Sequence, residues 1–168
     1  PLISDNYEIT NSFESVRYQK FSNMVTKIGF YGKTVNTFMD NKDVRISKRL
    51  FMPGNRLRGF EAGKIGPVEN GDYIGGNYVS SVNFSSTLPQ ILPSFQNIDL
   101  AFFIDAANIW GVDYDSSLND RSKIRSSTGI AMDILTPIGP LNFSLAQTLS
   151  KATTDTTESF RFNLGTTF

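Results

Sequence analysis

The chain contains neither cysteine nor histidine. Without cysteine there can be no disulfide, no thiolate metal site and no cysteine nucleophile. Without histidine there can be no Ser-His-Asp triad, no histidine-ligated zinc and no histidine general base. No motif marks carboxylate- or lysine-based chemistry instead. We therefore expect a protein that is not an enzyme and that has no catalytic, cofactor-binding or metal site.

Long apolar runs and an excess of charge are also missing. No stretch of about 18 apolar residues is present, so the sequence predicts no transmembrane helix. The 16 basic and 16 acidic residues balance, which gives no electrostatic reason to expect nucleic acid as a partner. No signal peptide opens the chain, which starts at Pro1 in strand-like sequence, and from this we expect a truncated N-terminus.

What the chain does have is alternation of apolar and polar residues, the pattern of a strand with one apolar face. In the last nine residues the apolar positions are Phe160, Phe162, Leu164 and Phe168, and they alternate with Arg161, Asn163, Gly165 and Thr167. Similar segments carry their apolar positions at Ile28 and Phe30, Val82 and Phe84, Leu100 to Ile104, Ile130 to Ile134, and Leu141 to Leu145. With a less regular segment from Phe13 to Phe21, the sequence predicts about seven strands.

The lengths of the strands and connections indicate a membrane barrel. Strands of roughly 9–14 residues suit a tilted crossing of a bilayer, whereas soluble strands average about five or six. Tight turns at residues 22–23 and 136–140 alternate with long polar stretches at 39–75, 111–123 and 148–157, as in outer-membrane barrels. The connection at 88–97 falls on the short-turn side but is longer. Alternation alone would also fit a soluble β-sandwich binding module.

We therefore predict an all-β fold, the C-terminal part of a transmembrane outer-membrane β-barrel with about seven antiparallel strands. Seven strands cannot close a barrel with the even strand number of bacterial single chains. Residues 1–168 are accordingly predicted to be a partial C-terminal barrel domain, with the N-terminal strands and periplasmic domains of the parent protein missing.

Three motifs follow one another along the chain. The first is PGNRLRGF at residues 53–60, followed by Ile65-Gly66-Pro67 and Gly75-Gly76-Asn77. The second is FFIDAANIW at residues 102–110. The third runs from Ser127 through PIGPLNFS at residues 137–144 to FNLGTTF at residues 162–168. This ordered set resembles the BamA family of outer-membrane assembly barrels (bacterial surface antigen barrels) over nearly all of the chain from about Arg45. Leu57 and Ala107 replace a valine and a glycine of the family pattern.

The resemblance implies a long loop that docks inside the barrel through Leu57, Arg58, Gly59 and Phe60. Its arginine would pair with an acid on the lumen wall, and Asp105 matches that position. The family often has a second acid on the preceding strand, and the matching position here is expected to be Ser85. Arg58 could instead be a solvated loop arginine and Asp105 an exposed acid at a strand end. The residues around Asp113 are rich in oxygen ligands, but they lack calcium-loop spacing and are expected to form a solvated loop.

The resemblance also implies a function and a seam. The protein would insert unfolded outer-membrane proteins into the outer membrane of a Gram-negative type cell, without a cofactor. Its partners would be those substrates, outer-membrane lipid and, through the missing N-terminal domains, assembly-complex lipoproteins. The last strand, expected at residues 158–168, would pair with the first strand of the complete barrel; its seam residues are Phe160, Phe162, Leu164, Gly165 and Phe168. A two-partner secretion or TamA-type barrel is the related alternative, and a diffusion porin is disfavoured by the docked loop.

Overall fold

The computed structural model describes residues 7–39, 41–88, 97–118, 122–137 and 139–165. Within these ranges the chain forms nine strands: β1 (Glu8–Phe21), β2 (Met24–Thr37), β3 (Val68–Glu69), β4 (Asp72–Tyr73), β5 (Tyr78–Thr87), β6 (Ile98–Trp110), β7 (Arg125–Thr136), β8 (Gly139–Ser150) and β9 (Phe160–Leu164). Three single-turn 3-10 helices lie in the loops at Ile46–Lys48, Gly54–Arg56 and Ser116–Leu118. In these ranges no helix has the length and apolar character needed to cross a membrane.

Seven of the strands form one antiparallel sheet in the order β1-β2-β5-β6-β7-β8-β9, and β3 and β4 form a separate small hairpin. The prediction of about seven antiparallel strands is confirmed. The strands from β1 to β8 in this sheet are 10 to 14 residues long, but β9 has only five. The sheet is not closed, because β1 and β9 are both at its edges. In the described residues no second large sheet packs on the seven-stranded one, so the sandwich alternative, which needs two packed sheets, is wrong.

One face of the sheet is apolar and exposed, because the period of two places every second side chain on the same side. The cross-strand register aligns the middle of this face as one row: Phe102, Ile130, Leu145 and Phe160. These four side chains are 38–62% exposed. A large exposed apolar face is unusual for a soluble monomer and is the expected surface of a strand that contacts lipid.

The opposite face is covered by the connection between β2 and β5, residues 38–77, which we call the long loop. It places apolar side chains against the sheet, so that the buried cluster combines loop and strand residues: Val35, Val44, Leu50, Met52, Leu57, Phe60, Ile65, Val79, Ala107 and Ile109. The loop also contains the β3–β4 hairpin, which alternation did not predict. The core of this part of the protein is therefore made between the long loop and the inner face of the sheet.

The connections agree with the predicted alternation of short and long. Residues 22–23 form a tight turn between β1 and β2, and the β7–β8 turn is equally short. The loop predicted at 148–157 is shifted, because β8 continues to Ser150 and the connection to β9 is residues 151–159. The predicted connection at 88–97 lies mostly outside the described residues, as does Ile138 of the β7–β8 turn.

Candidate functional site at the docked loop tip

Four polar residues form a row across the inner face of the sheet: Asn83 on β5, Asp105 on β6, Ser127 on β7 and Thr148 on β8. Each residue is the direct cross-strand partner of the next one in this order, and we call the four the inner row. The tip of the long loop, residues 54–64, lies against this row. The site is therefore assembled by register, since neighbouring residues of the inner row are about 20 positions apart in the chain.

Arg58 and Asp105 form a bidentate ion pair. Arg58 Nε donates to Asp105 Oδ2 at 2.8 Å and Nη2 donates to Oδ1 at 2.9 Å. The backbone N–H of Arg58 also donates to Oδ2, at 3.1 Å. The Asp105 side chain is completely buried, whereas that of Arg58 is 21% exposed. This fork-to-carboxylate geometry fixes both the position and the direction of the loop tip.

Phe103 packs against the guanidinium of Arg58, and Gly129 leaves room for the Phe103 ring. The guanidinium carbon of Arg58 lies 3.6 Å from the centroid of the Phe103 ring, a close cation–π contact. Phe103 in turn lies opposite Gly129 on β7. A side-chain carbon at Gly129 would come within 2.8 Å of the Phe103 ring, so glycine leaves the space that the aromatic ring occupies.

The other members of the inner row bind the main chain of the loop tip. Asn83 donates to the carbonyl of Arg56 at 2.7 Å and to Asp105 at 2.8 Å. Ser127 donates to the carbonyl of Arg58, and Thr148 donates to that of Gly59 at 3.2 Å. These hydrogen bonds satisfy carbonyl groups that water would otherwise have to reach.

Gly59 is required by the close approach of the tip to the wall. Its φ is +87°, in the region that side chains disfavour. A Cβ there would also lie 3.1 Å from the Cβ atoms of Ser127 and Ala146. On either side of the Arg58–Gly59 pair, Leu57 and Phe60 are each 1% exposed. The tip is thus held by one ion pair, several main-chain hydrogen bonds and two apolar side chains.

The loop tip also contacts the last connection, residues 151–159, and β9. The backbone of Glu158 donates to Gly59 O at 3.1 Å, and that of Glu61 donates to Thr156 O at 3.0 Å. Thr156 donates in return to Lys64 O at 3.0 Å. Arg161 on β9 donates to the carbonyls of Gly54 and Phe60. No sequence pattern had marked Arg161 as a partner of the loop, because it occupies an ordinary polar position of an alternating strand.

Further ion pairs hold the loops to the sheet and to one another. Arg45 pairs with Glu8, Arg56 with Glu14, Arg49 with Asp113 and Arg125 with Asp155. Burial raises the pKa of Asp113, but hydrogen bonds from the Val44 backbone and the Asn77 side chain, together with the charge of Arg49, outweigh it and hold the pKa below its ordinary value. In the described residues no cluster of three or more potential ligands could hold a metal ion.

The structure places the predicted residues as follows. The loop-docking residues Leu57, Arg58, Gly59 and Phe60 lie together against Asp105. The expectation for Ser85 is wrong: Ser85 lies opposite Phe103, and the residue beside Asp105 is Asn83. Among the seam residues, Phe160, Phe162 and Leu164 are at least half exposed. Gly165 follows β9 with a φ of +108°, and Phe168 lies outside the described residues.

The Omp85 superfamily domain matches residues 3–168 of the chain. The chain belongs to the Omp85 superfamily. It is therefore part of an outer-membrane protein.

Two individual proteins illustrate the similarity. Outer membrane protein assembly factor BamA of Neisseria meningitidis is 28% identical over 170 residues, which cover 83% of the chain and 20% of that protein. BamA of Neorickettsia risticii is 30% identical over 128 residues, 74% of the chain and 17% of that protein. The chain thus spans about a fifth of the length of these relatives.

A solved structure agrees with the sequence comparisons. The crystal structure of BamA from Haemophilus ducreyi lacking POTRA domains 1–3 matches 92% of the chain, and the match covers 34% of the crystallised chain, with a TM-score of 0.78 and 27% identity. The expected resemblance to the C-terminal barrel portion of BamA is confirmed, and so is the prediction of part of an outer-membrane β-barrel.

Proposed function

We propose that the Omp85 protein containing this chain inserts β-barrel proteins into the outer membrane without an enzymatic step. The observation that carries the proposal is the Arg-Gly-Phe tip held on the inner wall by Asp105, within a sheet similar to that of BamA. A loop that covers the inner face of the sheet is a poor design for a passive diffusion pore. Instead, it gives the sheet a firm inner support beside its last strand.

The edge at β9 is the element that would act on a substrate. β9 forms only five cross-strand pairs with β8, and in the complete barrel its other side would pair with the first strand, at a seam that can open. An unpaired strand edge templates the addition of an incoming strand through main-chain hydrogen bonds. The energy for insertion would come from the substrate, which buries its own apolar face in lipid.

The arrangement of the complete protein and the identity of its partners are also proposals. Residues 1–168 would be the C-terminal part of a barrel whose first strands meet β9, and periplasmic domains would precede those strands. The partners would be unfolded outer-membrane proteins, outer-membrane lipid and assembly-complex lipoproteins. No cofactor is needed in this scheme, because each step is a change of hydrogen bonding or burial.

The test is a folding assay with the purified full-length protein in liposomes. An unfolded small outer-membrane barrel is added without nucleotide, and its folded fraction is followed by gel mobility. We expect faster folding than in empty liposomes, slower folding with Arg58→Ala, and no effect of Lys48→Ala, an exposed basic residue of the same loop. Folding no faster than in empty liposomes would contradict the proposal. Export of a soluble substrate in place of insertion would favour the two-partner secretion alternative.

A further inference from the structure

The segment that leads into the last strand divides its hydrogen bonds between two partners. From Phe160 onward, β9 pairs with β8, and just before it the carbonyl of Ser159 accepts from the backbone of Ala146 on β8. Residues 156–158 instead pair with the loop tip through three main-chain hydrogen bonds and the bridge between Phe60 and Thr157. The last strand is therefore continuous with a short ribbon that belongs to the tip.

Arg161 joins these two parts with its side chain. It lies on the inner face of β9, opposite Ser144 of β8, and its side chain is 13% exposed. One guanidinium nitrogen donates to Gly54 O and the other to Phe60 O, so a single residue holds both ends of the turn that carries Arg58. Glu158 accepts from Nε at 3.0 Å and from Nη2 at 2.8 Å, which fixes the plane of the guanidinium.

Besides the Arg56–Glu14 pair, the loop tip is attached to the sheet at two places. One is the inner row, centred on Asp105 of β6, and the other is the last strand with Arg161. Two strands, β7 and β8, separate β6 from β9 in the sheet. With only five cross-strand pairs, β9 is held to the sheet by fewer main-chain contacts than any other strand of the seven-stranded sheet described here. Its attachment to the tip is thus a large part of what keeps it in place.

We propose that Arg161 is a positioning residue that links the last strand to the loop tip, so that release of the tip from Asp105 and opening of the β9 edge favour each other. The inference rests on the proposed function for its purpose, because the edge at β9 is where a substrate strand would be added. Energetic coupling between two sites is reciprocal. Loosening either attachment must therefore loosen the other.

Hydrogen exchange of the full-length protein in nanodiscs, read by mass spectrometry, tests the coupling. The two segments to follow are the loop tip and residues 160–164. Arg161→Gln should accelerate exchange in both segments, by about fivefold or more if the coupling is of ordinary size. Arg45→Gln is the matched control, since Arg45 belongs to the long loop but lies outside the tip and pairs with Glu8 on β1; it should leave residues 160–164 unchanged.

The decisive variant is Asp105→Asn, which changes no atom of the last strand. It should accelerate exchange at residues 160–164 in the wild-type background and add nothing there in the Arg161→Gln background. If Asp105→Asn does not fold, Ser127→Ala replaces it and removes one hydrogen bond to the tip. The proposal is overturned if releasing the tip leaves residues 160–164 as protected as before, or if Arg161→Gln affects the last strand alone.

The hydrogen-exchange experiment and the folding assay can fail independently of each other. Coupled exchange in a protein that does not accelerate barrel folding would retain the link and reject the proposed function. Uncoupled exchange in a protein that does accelerate folding would retain the function and reject the role of Arg161.

Discussion

Arg125 and Asp155 form a bidentate ion pair in which neither side chain is exposed to solvent. Both bonds, from Nε and Nη2, are 2.9 Å long. The same carboxylate accepts from the backbone N–H groups of Gly66 and Ala152. This pair therefore ties the start of β7, the long loop and the last connection to one another at the same end of the sheet.

Replacing Asp155 with Asn should destabilise the full-length protein by about 3–5 kcal/mol, because it leaves the Arg125 charge buried without a carboxylate partner. The measurement is the midpoint of denaturant unfolding followed by gel mobility. Glu14→Gln is the control: the Glu14 side chain is 49% exposed in its pair with Arg56, and exposed pairs contribute at most about 1 kcal/mol. Equal losses from the two substitutions would contradict the structural role given to Arg125 and Asp155.

The pair between Arg58 and Asp105 should behave as a unit. We expect Arg58→Ala and Asp105→Ala each to destabilise the docked loop, and the double variant to be little worse than either, with a coupling energy of about 1–3 kcal/mol. Asn83→Ala should have a smaller effect, because it removes hydrogen bonds but no charge. The unfolding free energies of the wild-type protein, the Arg58 and Asp105 single variants and the double variant give the coupling energy. Simple addition of the two single effects would mean that Arg58 has another partner.

The apolar face should not tolerate charge. Phe160→Arg should cost about 2–4 kcal/mol if that row lies near the middle of the bilayer. Asn163→Arg, on the same strand but on the opposite face, should cost much less, since an arginine there meets polar surroundings. Unfolding from lipid bilayers measures both. A cost for Asn163→Arg as large as that for Phe160→Arg would reject the assignment of the faces.

The long connections should lie outside the cell and the tight turns in the periplasm. The chain has no cysteine of its own, so single cysteines can report position. A membrane-impermeant thiol reagent applied to intact cells should label Ser116→Cys, in the β6–β7 loop, and spare Asn23→Cys, in the β1–β2 turn. Both residues are exposed, so burial cannot explain a difference. The reverse labelling pattern would invert the proposed orientation.

The contact of Asp113 with the long loop should weaken in acid. The folded state holds the pKa of Asp113 below its ordinary value, so its carboxylate stabilises the loop at neutral pH. That contribution is complete above the ordinary carboxyl pKa and is lost as the pH falls through the lowered value. Proteolysis of the long loop, measured between pH 7 and about pH 3, should accelerate at the acid end. Asp113→Asn should remove this part of the pH dependence and be cut faster at pH 7.

The features that could be predicted from the sequence are the strands, because their apolar and polar residues alternate regularly. Alternation is a local signal, so it placed Phe102, Leu145 and Phe160 on one face without knowledge of which strands are neighbours. The docking arginine and its partner on the wall were found through the resemblance to the family motif, and the length of the unpatterned loop agrees with a functional role.

The parts that sequence reasoning missed depend on register and on loop-to-loop contact. Assigning the neighbour of Asp105 requires knowing the pairing of β5 with β6, and a shift of two residues exchanges Ser85 for Asn83. Arg161 and Asp155 have no period or spacing that singles them out, since their partners lie about 100 and 30 residues away. The β3–β4 hairpin is too short for alternation to be recognised.

The inner row holds the loop tip mainly through its backbone, at the carbonyls of Arg56, Arg58 and Gly59. Main-chain groups are the same in every sequence, so this mode of attachment places few demands on side-chain identity. Only the arginine, the glycine and the two buried apolar residues beside them have to fit. Tips taken from other Omp85 proteins should therefore be interchangeable grafts on this barrel wall, provided that they retain an arginine followed by a glycine and an apolar residue on each side of that pair.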